Sequence, residues 1–276
     1  MPVGRTPTSA ADPQVGPLVY RIMLIGNDDL SGVGRPGAGS SRRCIVRDLG
    51  RMSYRDALAI QESIAAERKL GQGTDHLLFV EHPHVVTIGR NGRESNVLAS
   101  PELLRSKGIE VYESDRGGDV TYHGPGQIVA YPIIDLREWK RDVGAFVRAI
   151  EQTLTDTLEE FGIRSFRIPK LTGVWTDAGG GQIAPYQAPY QAKIAAIGVH
   201  LSRWVSTHGW ALNVTTDLRF FDFIVPCGLT KPVTSMERMG VTADPEEVKR
   251  ALARHFGRLF DFEMRVATPE LTGATR

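Results

Sequence analysis

The order in which helix-like and strand-like stretches follow one another limits this chain more than any single motif. Three stretches carry the three-to-four-residue apolar spacing of a packed helix. The first runs from Ser53 to Leu70, with Ser53 placed to cap it. The second joins Val143, Phe146, Val147, Ile150, Leu154, Leu158 and Phe161, with Asp142 at its start and Gly162 at its end. The third is DPEEVKRALARHFGRLFDF, opening on Asp244, Pro245 and Glu247 in the pattern of a capping box. Between them lie short β-branched and aromatic runs. HLLFVEHPHVVTIGR is bent by Pro83 into a strand pair or a kinked strand, and IVAYPIIDL (residues 128–136) is broken at Pro132. IRSFRI, GVWT, KIAAIGVHL and WALNV read as further strands with turns between them. Helix, strands, helix, many strands, helix is not the regular alternation of a doubly wound sheet. It predicts an α+β fold, a mixed or largely antiparallel sheet flanked by helices.

No compositional break follows residue 44, so residues 44–267 are expected to form a single domain. Residues 1–43 hold PVGRTPTSAADPQVGP and SGVGRPGAGSSRR, rich in Pro, Gly and Ser, and are expected to be disordered. LVYRIMLIG between those two runs reads as a loose strand, and residues 268–276 as a flexible tail. Asp12, Asp28 and Asp29 argue against a targeting peptide. A net charge of +1 gives no global field for nucleic acid or a membrane surface. No apolar run approaches the ~18 residues that span a bilayer. Two cysteines, Cys44 and Cys227, are too few for a disulfide framework, and a reduced, cytoplasmic setting is the simpler expectation.

RGGDVTYHGPGQ, from Arg116 to Gln127, concentrates the chemistry. Gly117 and Gly118 allow close backbone approach or positive φ. Arg116 offers a fork of donors, and His123 a ring that exchanges protons near neutral pH. The plain alternative is a glycine turn with a surface arginine and a core histidine. No Gly-Lys-Ser/Thr follows, so it is not a P-loop, and no βαβ unit surrounds it. In FIVPCGLT, Cys227 sits between Pro226 and Gly228 after an apolar run. A thiolate there needs a cation or base beside it, and Lys193, His123, His200 and His208 are the candidates. Cys44 reads as a small buried hydrophobe. His82 and His84 lack a third ligand at metal spacing, so no metal is expected. DAGGGQIAPYQAPYQAK (residues 177–193) holds a small APYQ tandem, expected to lengthen a hairpin loop.

Taken in order, RGGDVTYHGPGQIVAYPI, KIAAIGVH, HGWALNV and FIVPCGL resemble the lipoate-biosynthetic lipoyl(octanoyl) transferases, the lipoate-protein ligase B family. The resemblance covers most of residues 44–265. It implies a fold like the catalytic domains of biotin and lipoate protein ligases. It implies transfer of an octanoyl group from octanoyl-acyl carrier protein to a lysine of a lipoyl domain, the first step of protein lipoylation. By the same resemblance Cys227 is the nucleophile that carries the acyl thioester, and Lys193 assists it. The implied acyl-substrate contacts are Arg116, Gly117, Gly118, Asp119, Val120, Thr121, Tyr122 and His123, then Ala196, Ile197 and Gly198, then Gly209, Trp210 and Ala211. The implied acceptors are lipoyl domains of 2-oxoacid dehydrogenase complexes and the glycine cleavage H protein. A thioester donor is already activated, so no cofactor is expected, and a monomer is the default expectation. Two features depart from the family: the long arm before residue 44, and the tandem before Lys193, which would displace that lysine if it refolded the hairpin. The alternatives are an ATP-dependent lipoate or biotin ligase on the same fold and a non-catalytic carrier-protein binding module.

Overall fold

The computed structural model describes residues 20–21, 42–178, 190–225 and 231–269. In chain order these form β1 (Tyr20–Arg21), β2 (Arg43–Arg51), α1 (Tyr54–Lys69), β3 (Asp75–Glu81), β4 (Val85–Ile88), α2 (Pro101–Ser106), β5 (Glu110–Glu113), β6 (Val120–His123) and β7 (Gln127–Ile133). There follow α3 (Val143–Glu160), β8 (Ser165–Ile168), β9 (Leu171–Ala178), β10 (Tyr190–Ser202), β11 (Val205–Asn213), α4 (Pro245–Phe260), β12 (Glu263–Val266) and β13 (Thr268–Pro269). The expected helix starts are where the caps put them. Ser53 Oγ accepts from Asp56 N, and the Asp142 and Asp244 carboxylates accept from Ala145 N and Glu246 N. Gly162, at φ +76°, ends α3. Most of the proposed disordered arm and tail lies outside the described residues. The exceptions are Tyr20–Arg21 and Thr268–Pro269, which pair antiparallel as β1 and β13, and Arg42 and Arg43, where Arg42 pairs with Asp75 and Arg43 opens β2.

Eight strands form one mixed sheet in the order β12-β2-β3-β7-β11-β10-β9-β8. The first three run parallel and the remaining pairs antiparallel. Side chains alternate across the pleat. Leu77, Phe79, Ile128, Ala130, Trp210 and Leu212 face the core under α3 and α4. Leu78, Val80, Val129, Tyr131 and Ala211 face the core that includes Ala57, Ile64 and Ala65 of α1. A smaller sheet, β5-β4-β6, has its own core with Leu104 of α2 and Phe221. HLLFVEHPHVVTIGR thus resolves into two strands, β3 and β4, that belong to different sheets. No described helix is long and apolar enough to cross a membrane.

Pro132 does not break β7. It stays in register opposite Leu77 in the middle of the large sheet, where its missing N–H should cost a ladder bond. The neighbouring strand adapts instead. Pairing of β11 with β7 stops at Trp210–Ala130, and His208 takes φ +58°. Gly209 fills the gap, since a Cβ there would stand 2.1 Å from Ala130 O and 2.6 Å from Pro132 Cδ. Ser206 Oγ donates to the Pro132 carbonyl at 2.7 Å.

Candidate active site

Lys193 enters the site on β10 just where that strand bulges against β9, between Lys193 and Ala195. Its backbone is clamped from the other side. Lys193 N donates to Pro232 O at 2.9 Å and Lys193 O accepts from Thr234 N at 2.9 Å. The ammonium donates to Thr172 O at 3.1 Å and lies 4.8 Å from the centre of the Trp175 ring. Only 7% of the residue is exposed. Lys193 keeps its register opposite Trp175, and Tyr190 opposite Ala178, so β9 and β10 stay paired up to the tandem segment. Residues 179–189, most of that segment, lie outside the described residues. So does Cys227, within residues 226–230. The chain before that stretch is held by Val225 N to Asn96 O at 2.7 Å, and the chain after it returns through Pro232 to Lys193.

From Lys193 a buried space runs between the two sheets. One narrow cavity is lined by Lys193, Gln127, Asn213, Phe221 and Val233 together with Thr121, Ala196 and Ala211. The next, also narrow, shares Thr121, Ala196 and Ala211 and is lined further by Ile197, Gly198, Val129, Tyr54, Tyr131 and His208. The two cavities adjoin at these three shared walls and together are called the channel. Ala196, Ile197, Gly198, Gly209, Trp210 and Ala211 all border it, as do Arg116, Gly118, Thr121 and His123. The pleat of β6 sorts the rest of that block. Val120 and Tyr122 turn into the core of the small sheet, where Tyr122 OH bonds His84 Nδ1 at 2.7 Å. Asp119 holds the loop, accepting from Asn96 Nδ2 and from Val120 N.

Arg116 works on the protein itself. Its guanidinium donates to Thr87 O, Thr87 Oγ1, Gly117 O and Asp119 O at 2.7–3.0 Å. These bonds fix the loop over the channel with Gly118 at φ +89°. Gly117 N donates to Val199 O at 2.9 Å, docking the same loop on β10.

His123 belongs to a polar chain that ends at the carbonyl of Thr234, the residue whose N–H holds the Lys193 carbonyl. Asn213 Nδ2 donates to Thr234 O at 2.9 Å, so its Oδ1 accepts from Gln127 Nε2 at 2.8 Å. Gln127 Oε1 must then accept from His123 Nδ1, at 2.7 Å. That assignment puts the ring proton on Nδ1. Burial, with His82 as the next cause, pushes the His123 pKa down to about 3. The ring is therefore neutral at pH 7, and the proton exchange near neutrality expected from its residue type does not occur. Gln127 and Asn213 were not singled out by sequence reasoning, although both lie inside the quoted motifs; their link exists only across β7 and β11.

The other basic candidates lie away from Lys193, with His208 at the far cavity. His208 and His200 meet on Asp115, at 2.6 and 3.4 Å. By strand register they sit opposite and beside Val199, six residues from Lys193, or about 20 Å along the strand. His82 bonds Met52 O and Tyr131 OH, and His84 stacks on Phe220 at 4.2 Å. Cys44 is wholly buried in the main core, where burial raises its thiol pKa well above the usual value and keeps it protonated.

The family described as the lipoyl protein ligase A/B catalytic domain matches residues 53–257. An octanoyltransferase of Solibacter usitatus (strain Ellin6076) is 59% identical over 223 residues, 81% of this chain and 96% of that protein. One from Koribacter versatilis (strain Ellin345) is 48% identical, over 78% of this chain and 83% of that protein. Among solved structures, a bi-partite lipoate protein ligase from Thermoplasma acidophilum aligns with a TM-score of 0.60 at 17% identity, covering 82% of this chain and 88% of that one. At that identity the likeness speaks for the fold alone.

Proposed function

This chain belongs to the lipoyl protein ligase A/B catalytic-domain family, as an acyltransferase of its octanoyltransferase branch, and from that premise we propose that it moves octanoyl from an acyl carrier protein to a lipoyl-domain lysine through a thioester on Cys227. The observation that supports this reading is the channel that starts at Lys193. An extended octanoyl chain measures about 9 Å, at about 1.5 Å per carbon–carbon bond in zigzag. From Lys193 to Gly198, five residues of β10 span about 16 Å. That stretch of strand is longer than the tail, so the adjoining cavities lie where an octanoyl chain with its acyl carbon at Lys193 would run.

Two half-reactions follow. The Cys227 proton rests on Lys193, and the thiolate attacks the thioester carbon. The bond to the carrier's sulfur breaks, and that sulfur leaves with the proton from Lys193. The acceptor lysine amine then attacks the Cys227 thioester, its surplus proton passes to Lys193, and the cysteine leaves as a thiolate. The product is an octanoyl amide, and the enzyme is back at its starting protonation. The thioester is already activated, so the scheme consumes no nucleotide. Initial rates measured against carrier and acceptor concentrations test it. Parallel double-reciprocal lines are expected; intersecting lines, with no adduct competent to transfer, would rule out the covalent route.

A further inference from the structure

We propose that Glu151, on α3, is a positioning residue for Lys193 and acts through a single peptide group. The inference rests on the reading that Lys193 handles the proton. The Lys193 ammonium donates to the carbonyl of Thr172. The N–H on the other side of that same peptide bond is Gly173's, and it donates to Glu151 Oε1 at 3.2 Å. In a trans peptide the C=O and N–H point in opposite directions. Glu151 and Lys193 therefore hold the Thr172–Gly173 peptide from its two faces, carboxylate to N–H and carbonyl to ammonium.

Burial makes this arrangement purposeful. Glu151 is only 7% exposed, and among the described residues it makes no ion pair. A buried carboxylate is costly unless its hydrogen bonds repay the lost water. It stands on the apolar stripe of α3 beside Ile150 and Leu154, where an aliphatic residue would pack without that cost. The bond it accepts is charge-assisted and polarises the peptide, making Thr172 O a stronger acceptor for Lys193. The corner is also shaped for the lysine. Gly173 has φ +124°, and a Cβ there would stand 3.3 Å from Lys193 Cε and 2.8 Å from Ala195 O. Among the described residues Lys231 also comes near, its ammonium 5.9 Å from the Trp175 ring that Lys193 approaches.

A double-mutant cycle tests it, with Cys227 acylation by octanoyl-acyl carrier protein followed by intact mass over seconds to hours. Glu151→Gln keeps the shape of the side chain and removes its charge. It is expected to slow acylation at saturating carrier about tenfold, with KM within twofold and Tm unchanged. In a Lys193→Ala background the same change should cost less than twofold, because the group it positions is gone. Glu151→Leu should follow the same pattern with a larger loss. A parent-like saturating rate for Glu151→Gln would overturn the inference. So would a full penalty retained in the Lys193→Ala background. A Lys193→Ala enzyme as fast as the parent would instead remove the reading on which the inference stands.

Discussion

At the scale of single residues, the site depends on side chains placed by backbone they do not belong to. Lys193 is aimed by the Thr172 carbonyl and by the space that Gly173 leaves. Gly173→Ala must accept φ +124°, which side chains rarely adopt, and must push on the lysine stem. It is expected to lower kcat at least tenfold while the acceptor KM stays within threefold, a split measurable by steady-state kinetics. The histidines set a second expectation. Burial lowers His123 to about 3, His76 to about 3 and His82 to about 4. Each folded value lies below the unfolded 6.5, so the unfolded chain takes up protons first. Their contribution is fully present above about pH 6.5 and is lost as pH falls toward about 4 for His82 and about 3 for His123 and His76. The slope is up to about 1.4 kcal/mol per pH unit for each ring that must stay neutral. Thermal unfolding at pH 7 and pH 5 should show the loss, and His123→Gln should flatten it. The channel-lining motifs were legible in the sequence, but Glu151 was not used there. The signal was a charge on an otherwise apolar helix stripe, and only the fold shows which peptide it meets.

At the scale of elements, the helices were legible because their caps are local. Ser53, Asp142 and Asp244 each bond an N–H two or three residues on, and a one-dimensional pattern records such contacts. Pro132 was not legible for the opposite reason. What accommodates it is Gly209, His208 and Ser206, more than seventy residues later and on another strand. The pair makes a prediction about β7 and β11. Gly209→Ala puts a methyl into the Ala130 carbonyl, and overpacking of that kind costs about 3 kcal/mol. A Tm lower by about 6–12 °C is expected, at roughly 2–4 °C per kcal/mol for a domain of this size. An unchanged Tm would mean that β11 does not lie this close to β7.

At the scale of the whole molecule, function comes from two sheets closing on each other. The larger supplies Lys193, Ala196, Ala211 and Tyr131; the smaller supplies Thr121 and His123. The Gly117 N–H bond to Val199 O and the Asp115 contacts to His200 and His208 tie the loop between β5 and β6 onto β10 and β11, while Arg116 ties it to Thr87 of β4. The α+β class and the mixed sheet could be argued from element order, whereas the channel could not, since it lies where the sheets meet. Ala211 borders both of its cavities and is almost wholly buried. Ala211→Leu should narrow the passage, lowering kcat/KM for octanoyl donors at least tenfold while butyryl donors lose less than threefold. Equal losses for both lengths would place the tail elsewhere. The most direct test of the account is intact-protein mass spectrometry of the chain mixed with octanoyl-acyl carrier protein in the absence of ATP. The account predicts one octanoyl group on Cys227, discharged by an apo lipoyl domain and absent from Cys227→Ala. No adduct on the native chain, with octanoyl transfer appearing only when ATP is supplied, would contradict it.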